Sequence, residues 1–413
     1  MAEQFRISRY RADDRQRVLD FIVTVHPRAF ADRLIQQWSW RCEENPFNRE
    51  AARYREAHRE EVLAHLDRVF SRDRFERFCR KWSIDPHDGR GDEGPYILLM
   101  QEGDKLVAMQ GSLPQCFMIG GKQRWVSVGC DLAVHPDYRN RGLALPLTNR
   151  LLTEHAMMLS WFNASIHRIR SGWRKAVARG PGASGLRGVT EARLTPLVKP
   201  LDLGYAVRIL TGSRMLAGAA AMTAAAARPL TKMLDRPFMV PGVKVSEIHL
   251  PGVELDQLWN RLCGIAPVIA VRDRRFLNWR FAQRPDASYR FVVAMRDSDL
   301  IGYLVFRVAE IEGAKWGYLV DFMAEGPTLM PFKLLLRHAE SCLMREGAKV
   351  IVCDAAPARF RRALMRSGYL PSRARKPIYL SANLNSADPE LQVFADVPRW
   401  FVTASDGNLE LTF

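Results

Sequence analysis

One ordered pattern occurs twice in this chain of 413 residues. Trp40-Arg41-x3-Asn45-Pro46 returns as Trp279-Arg280-x3-Arg284-Pro285. Tyr96, with the apolar run, turn and apolar run behind it, returns at Tyr289 with Phe291 to Ala294, the turn Arg296 to Asp299, and Leu300 to Phe306. Asp131-Leu132-Ala133 returns as Asp321-Phe322-Met323, and Gly172-Trp173 as Gly368-Tyr369. The two Trp-Arg pairs lie 239 residues apart and the two tyrosines 193; the difference, 46, is close to the length of the charged segment 48–92. That segment therefore reads as an insertion in the first copy. A series of matches kept in order means two copies of one fold.

The local patterns say what kind of fold repeats. Phe5 to Val25 opens with a short alternation and turns helical at Val18, Leu19, Phe21 and Ile22. Within 48–82, Val62, Leu63, Leu66, Val69, Phe70, Phe75 and Phe78 stand at helical spacing among Arg and Glu, the pattern of amphipathic helices. Ile84 to Pro95, rich in Gly, Asp and Pro, reads as a loop. Tyr96–Met100 and Leu106–Gln110 flank a turn, as do Phe117–Ile119 and the run from Trp125, so two hairpins are expected. Met157–Phe162 reads as a buried strand, His167–Ala178 as a short helix, and Leu194–Leu203 as the strand that closes the first unit. Strands in hairpins mixed with helices give an α/β class of the α+β kind, with an alanine-rich helix between the copies.

The chemistry concentrates in Leu132 to Ala144. The apolar run Val126–Val134 ends at a turn with Pro136, and Arg139, Gly142 and Ala144 then open a helical pattern through Leu143, Leu147, Leu151 and Leu152. A strand that feeds a loop and a helix N-terminus makes an anion site, because the first helical N–H groups lack partners and the macrodipole adds positive charge. Gly142 lets the backbone approach a phosphate, while Arg139 and Arg141 add charge.

This stretch resembles the acyl-CoA loop of the GNAT N-acetyltransferase superfamily, whose signature is Gln/Arg-x-x-Gly-x-Gly/Ala. The resemblance implies two tandem mixed, mainly antiparallel sheets flanked by helices. The expected divisions are an N-terminal unit over 1–205 with its helical insertion, an alanine-rich helical linker over 206–243, and a C-terminal unit over 244–413. It implies that the amides of Arg139, Asn140, Arg141, Gly142, Leu143 and Ala144 hold the pyrophosphate of acetyl-CoA or another acyl-CoA. The backbone of Leu132, Ala133 and Val134 would pair with the pantetheine, and Asn163 would reach the cofactor from the neighbouring strand. The second copy reads Ala324-Glu325-Gly326-Pro327-Thr328 at this point, so it is expected to be degenerate. A narrower resemblance, to bacterial tandem GNAT proteins associated with polysaccharide biosynthesis, rests on the overall pattern and the tail Trp400 to Gly407.

Acyl transfer to an amine needs a group to take the amine proton and one to protonate the leaving thiolate. Asp131, the nearest carboxylate on the central strand, is the first candidate base, although its recurrence at Asp321 also fits a structural role. Many GNAT enzymes carry a tyrosine four residues before the Gly-Phe pair; here that position is Arg168, so either His167 or another group serves as the acid, the thiolate leaves unaided, or the chain is not a standard acetyltransferase. His135 and Cys130 read as a structural turn residue and a small core residue.

Composition bounds the alternatives. Seven cysteines without a Cys-x-x-Cys pair suit reduced thiols in a cytoplasmic protein and offer no metal site. Met1–Asp20 is charged throughout and has no secretory pattern. Residues 209–234 are apolar but broken by Arg214 and Arg228, so they read as an interdomain helix, with membrane-surface contact the lesser alternative. A net charge of +16 favours anionic partners, yet no aromatic-interleaved basic run points to nucleic acid. The expected partner is an amine-bearing small molecule or glycan precursor. The alternatives are a non-catalytic acyl-CoA-binding or glycan-assembly protein, and an aminoacyl transferase of the peptidoglycan cross-bridge type.

Overall fold

In the computed structural model, the described residues are 5–69, 92–163, 189–211, 213, 215–216, 218–220, 222–223, 240–372, 375 and 377–407. The first copy runs β1 (Phe5–Arg9), α1 (Arg15–Val25), α2 (Arg28–Trp38), α3 (Asn48–Ala57), α4 (Arg59–Val69), β2 (Tyr96–Glu102), β3 (Lys105–Ile119), β4 (Lys122–Val134), α5 (Ala144–Thr153), β5 (Met157–Asn163), β6 (Val189–Leu194) and β7 (Leu197–Pro200). After α6 (Leu203–Thr211) the second copy runs β8 (Val243–Ile248), α7 (Glu254–Leu262), β9 (Val268–Ala270), α8 (Arg274–Leu277), β10 (Arg290–Arg296), β11 (Asp299–Ile311) and β12 (Ala314–Ala324). It ends with α9 (Met330–Arg345), β13 (Val350–Cys353), α10 (Ala358–Arg366), β14 (Leu370–Pro371) and β15 (Ile378–Leu384). The two expected hairpins are β2–β3 and β3–β4, and the charged segment forms α3 and α4. The helix expected over His167–Ala178 lies outside the described residues.

The strands build two mainly antiparallel sheets flanked by helices. One has the order β1-β2-β3-β4-β5-β15-β6, with β9 also on β3; the other has the order β14-β7-β13-β12-β11-β10-β8. Each sheet seats a strand of the other copy between two neighbours, and the first also takes β9 on β3. β15 lies between β5 and β6, pairing Leu380 with Trp161 and with Ala192. Its counterpart β7 lies between β13 and β14, pairing Val198 with Val352 and with Leu370. The strand expected over Leu194–Leu203 therefore forms, at Leu197–Pro200, but closes the second sheet and not the first. Local alternation specifies a strand and its faces; it does not specify which sheet receives it.

Apolar spacing sets the layers. Leu143, Leu147 and Leu151 recur every fourth residue and bury α5 against Leu98, Met100, Val107 and Met158 on one face of the first sheet. Val18, Phe21, Ile22, Leu34 and Trp38 bury α1 and α2 against Ile97, Leu99 and Met109 on the other. A third core is continuous across both copies, from Phe117, Val128 and Leu159 to Phe291, Leu304 and Phe322.

The copies meet at their repeated tryptophans. Trp40 and Trp279 sit in matching π-helical turns, Ser39–Glu43 and Asn278–Ala282. Their rings stack with centroids 5.0 Å apart. Each indole donates to the other's carbonyl: Trp40 Nε1 to Trp279 O at 3.0 Å, and Trp279 Nε1 to Trp40 O at 3.4 Å. Reciprocal contacts of this kind are what a two-fold axis imposes, here between copies within one chain.

Candidate active site

The site begins where two parallel strands part. β4 and β5 pair only through Ser127↔Met158, Val128↔Leu159 and Gly129↔Ser160. Beyond that, β4 continues to Val134 and β5 to Asn163 without pairing, so the strands open as a V. Two features of β4 produce this. Gly129 leaves room at the apex for the Met158 side chain, since a Cβ there would lie 2.7 Å from Met158 Cε. Next comes a bulge: Gly111 pairs with Cys130 and Met109 with Ala133, so Asp131 and Leu132 together face Gln110, and Asp131 takes a left-handed φ of 52°. Ala133 and Val134 thus keep pairing to β3 on one edge and, with the bulged Leu132, present free backbone on the edge toward β5. Leu132 is 40% exposed at the opening.

The loop after β4 carries the expected anion site. His135 accepts a hydrogen bond from the Asp137 amide and caps a turn over Pro136–Tyr138, the structural role read from the sequence. Asn140 and Gly142 have φ of 63° and 76°. The amides of Arg141, Gly142, Leu143 and Ala144 have no backbone acceptor among the described residues. They open α5, a helix of 10 residues. Leu143 itself is buried, so its side chain anchors the loop. The two arginines differ. Arg139 donates to the carbonyls of Val134 and Val25, both at 3.3 Å, and ties the loop to the end of α1. Arg141 donates to Asp137 O and lies over the Tyr138 ring, 4.8 Å from its centroid.

Asp131 is committed to a partner that the sequence did not reveal. Arg41 NH2 donates to Asp131 Oδ2 at 2.5 Å, and the two side chains are only 5% and 15% exposed. The carboxylate and its surroundings hold the Arg41 guanidinium charged although burial opposes it. Burial, reinforced by Asp131, pushes the Cys130 thiol well above its usual range, which suits a core residue and not a nucleophile. His26, at the end of α1, lies within electrostatic reach of Asp131 and Arg139, and burial lowers its pKa. Asn163 is placed only as the end residue of β5, paired with Ile378. His167 and Arg168 lie outside the described residues.

The second copy has the same V, pairing β12 to β13 only through Trp316↔Val350, Gly317↔Ile351 and Tyr318↔Val352. Here the opening is filled. Phe322, the counterpart of Leu132, is fully buried against Phe332 and Phe360, with ring centroids 5.0 and 5.1 Å away, and Phe360 packs on Phe401 of the tail. Asp321 receives Arg272 Nε at 3.1 Å and Thr403 Oγ1 at 2.7 Å, and Arg272 also binds Asp406. Glu325 stands where a phosphate would approach, paired with Arg261 at 2.5 Å.

Among the described residues, Glu247, His338 and Cys342 bring ligand atoms within 4.8 Å of one another. Arg290 and Arg345 already bind Glu247 and Cys342, so the group serves as an ion-pair cluster.

Residues 50–164, which hold β4, the loop, α5 and β5, match a family model described as an acetyltransferase (GNAT) domain. That segment is similar to a GNAT acetyltransferase domain. No curated protein matches the chain in sequence. Solved structures similar to it include a GCN5-related N-acetyltransferase from Anabaena variabilis, with 11% identity and a TM-score of 0.49, covering 92% of this chain and 73% of that one. Another is an Enterococcus faecalis protein described as a probable N-acyltransferase, with 12% identity, a TM-score of 0.49, and coverage of 92% and 72%. A third is the Saccharomyces cerevisiae N-myristoyltransferase with bound myristoyl-CoA, with 12% identity, a TM-score of 0.49, and coverage of 93% and 83%. At this level the likeness to the GNAT chain is one of general chain course.

Proposed function

We propose that the first copy binds one acetyl-CoA and transfers its acetyl group to the amine of a small molecule, an amino sugar or glycan precursor being the leading class. The observation that carries the donor site is the conjunction of the open β4 edge with the unpaired amides of Arg141 to Ala144. The edge offers strand-like pairing to an extended amide-bearing arm, and the amides offer donors to a diphosphate at its end. Arg141 adds charge at the rim. The filled V around Phe322 supports a single donor site per chain.

For the proton on the attacking amine, Asp131 remains the carboxylate nearest the apex, although it is already paired with Arg41. His26 is the second candidate, because a neutral imidazole beside that carboxylate can accept a proton. The roles of His167 and Asn163, the tandem division at 205 and 243, a cytoplasmic setting and a tie to polysaccharide synthesis are parts of the same proposal. No described helix is long and apolar enough to cross a membrane.

Calorimetric titration of acetyl-CoA into the chain, beside Gly142→Glu, tests the reading. Glutamate at a φ of 76° is strained and places a carboxylate where the diphosphate would lie. One site per chain, lost in the variant, is expected. Absence of binding to folded wild-type protein refutes the donor assignment, and two sites per chain refute the single-site reading.

A further inference from the structure

The inserted helix α3 closes a small cavity over the α5 face of the first sheet. Its volume is about 40 Å³, and its lining includes Tyr54, Arg55, His58, Ser112, Ser127 and His155. That is room for two or three waters or one small oxyanion, and too little for a whole acceptor.

The cavity adjoins the apex of the V. Ser112 pairs directly with Gly129, the last β4 residue bound to β5. Ser127 lies two residues before Gly129 on the same face, about 7 Å away along the strand.

Its polar groups are donors without acceptors. The Ser127 hydroxyl is buried and has no partner, the residue being 6% exposed, and the Tyr54 hydroxyl is likewise unpartnered. Arg55 lies over the Tyr96 ring, 4.8 Å from its centroid, and forms no hydrogen bond or ion pair among the described residues. Arg9 lies over the other side of this cluster, 3.6 Å from the Tyr96 centroid, and Arg150 binds Glu154 at 2.7 Å. Three guanidinium groups thus share Glu154, with Asp92 a weaker influence on Arg55. Leaving two buried hydroxyl oxygens without partners, beside a partly exposed guanidinium, is costly unless something completes them.

We propose that this cavity seats a carboxylate or phosphate group of the acceptor, so that the substrate is an amine that also carries an oxyanion. Arg55, Ser127 and Tyr54 would donate to the oxyanion, and its distance from the apex leaves the amine at the end of the donor's arm. The acceptor assignment rests on the acyl-transfer reading; the anion site itself does not.

The test is titration of inorganic phosphate and, separately, acetate into the full chain in low-chloride buffer, with Arg55→Gln and Ser127→Ala beside wild type. Saturable binding at one site is expected, weakened at least about tenfold by Arg55→Gln and about threefold by Ser127→Ala. The anion that binds more tightly names the group. Acetyl-CoA binding should survive in both variants and serves as the check on folding. If Arg55→Gln fails to fold, Ser127→Ala decides. Failure of both anions to saturate, or wild-type affinity in the folded variants, overturns the proposal. Failure of acetyl-CoA to bind removes the acyl-transfer reading by itself and leaves the anion result to be read unchanged.

Discussion

Trp40 and Trp279, separated by 239 residues in sequence, stack on one another and exchange indole hydrogen bonds. The same side chain of each copy thus sits at the junction of the two, packed by Phe47 at 5.3 Å from Trp279 and by Phe276. Removing either ring opens a cavity in the shared core. Trp40→Ala and Trp279→Ala should each cost about 3–5 kcal/mol and lower the stability of both sheets together. Denaturant unfolding followed by hydrogen exchange would check this; one sheet exchanging at the wild-type rate while the other opens would contradict it.

The strand exchange gives a second prediction. Without β15, β5 and β6 of the first sheet lose the strand between them. A fragment of residues 1–243 should lack native near-ultraviolet dichroism, and adding a fragment of residues 244–413 should restore it. A well-folded isolated first fragment would show that the exchange is dispensable.

Asp131 and Arg41 are expected to behave as a unit. Asp131→Ala leaves a buried guanidinium unpaired, a loss of about 3–5 kcal/mol. Arg41→Met should destabilise less, and the double variant should cost at least about 1 kcal/mol less than the two together. Additive losses would mean that the pair is not coupled. Asp131→Asn preserves the shape; a normal rate of acyl transfer in that variant would remove Asp131 as the base and leave His26.

His155 supplies a pH signature. Burial, helped by Arg55, pushes its pKa down to about 3. The unfolded chain therefore binds one more proton than the folded one between about pH 6.5 and 3, and stability falls as pH falls through that window. This one residue should add a slope of about 1.4 kcal/mol per pH unit between those limits. His155→Gln should remove that slope in denaturant titrations from pH 7 to 5; an unchanged slope would contradict the assignment.

How much of this was legible depends on how local each signal is. The hairpins, α5 and the loop at Gly142 follow from patterns a few residues long, and they stand where the sequence places them. Asp131 is visible as the carboxylate of the central strand, but its partner Arg41 comes from another element 90 residues away. Trp40 and Trp279 announce the repeat and say nothing of meeting each other. Arg55 sits in a run dense with arginine and glutamate, where its lack of an acceptor shows only once the neighbours are in place. The destination of β7 and β15 was illegible for the same reason, since both sheets accept an apolar strand equally well.

The exchanged strand also sets an order on the ribosome. β5 is one arm of the open V, and the strand that flanks it, Ile378–Leu384, is synthesised about 180 residues after Leu194. At ordinary elongation rates of about 5–20 residues per second, the cleft waits on the order of ten seconds or more with an open sheet edge. Partial translation products thus lack a finished cleft, and the nascent first half is the stage at which chaperone protection of exposed β-structure matters most.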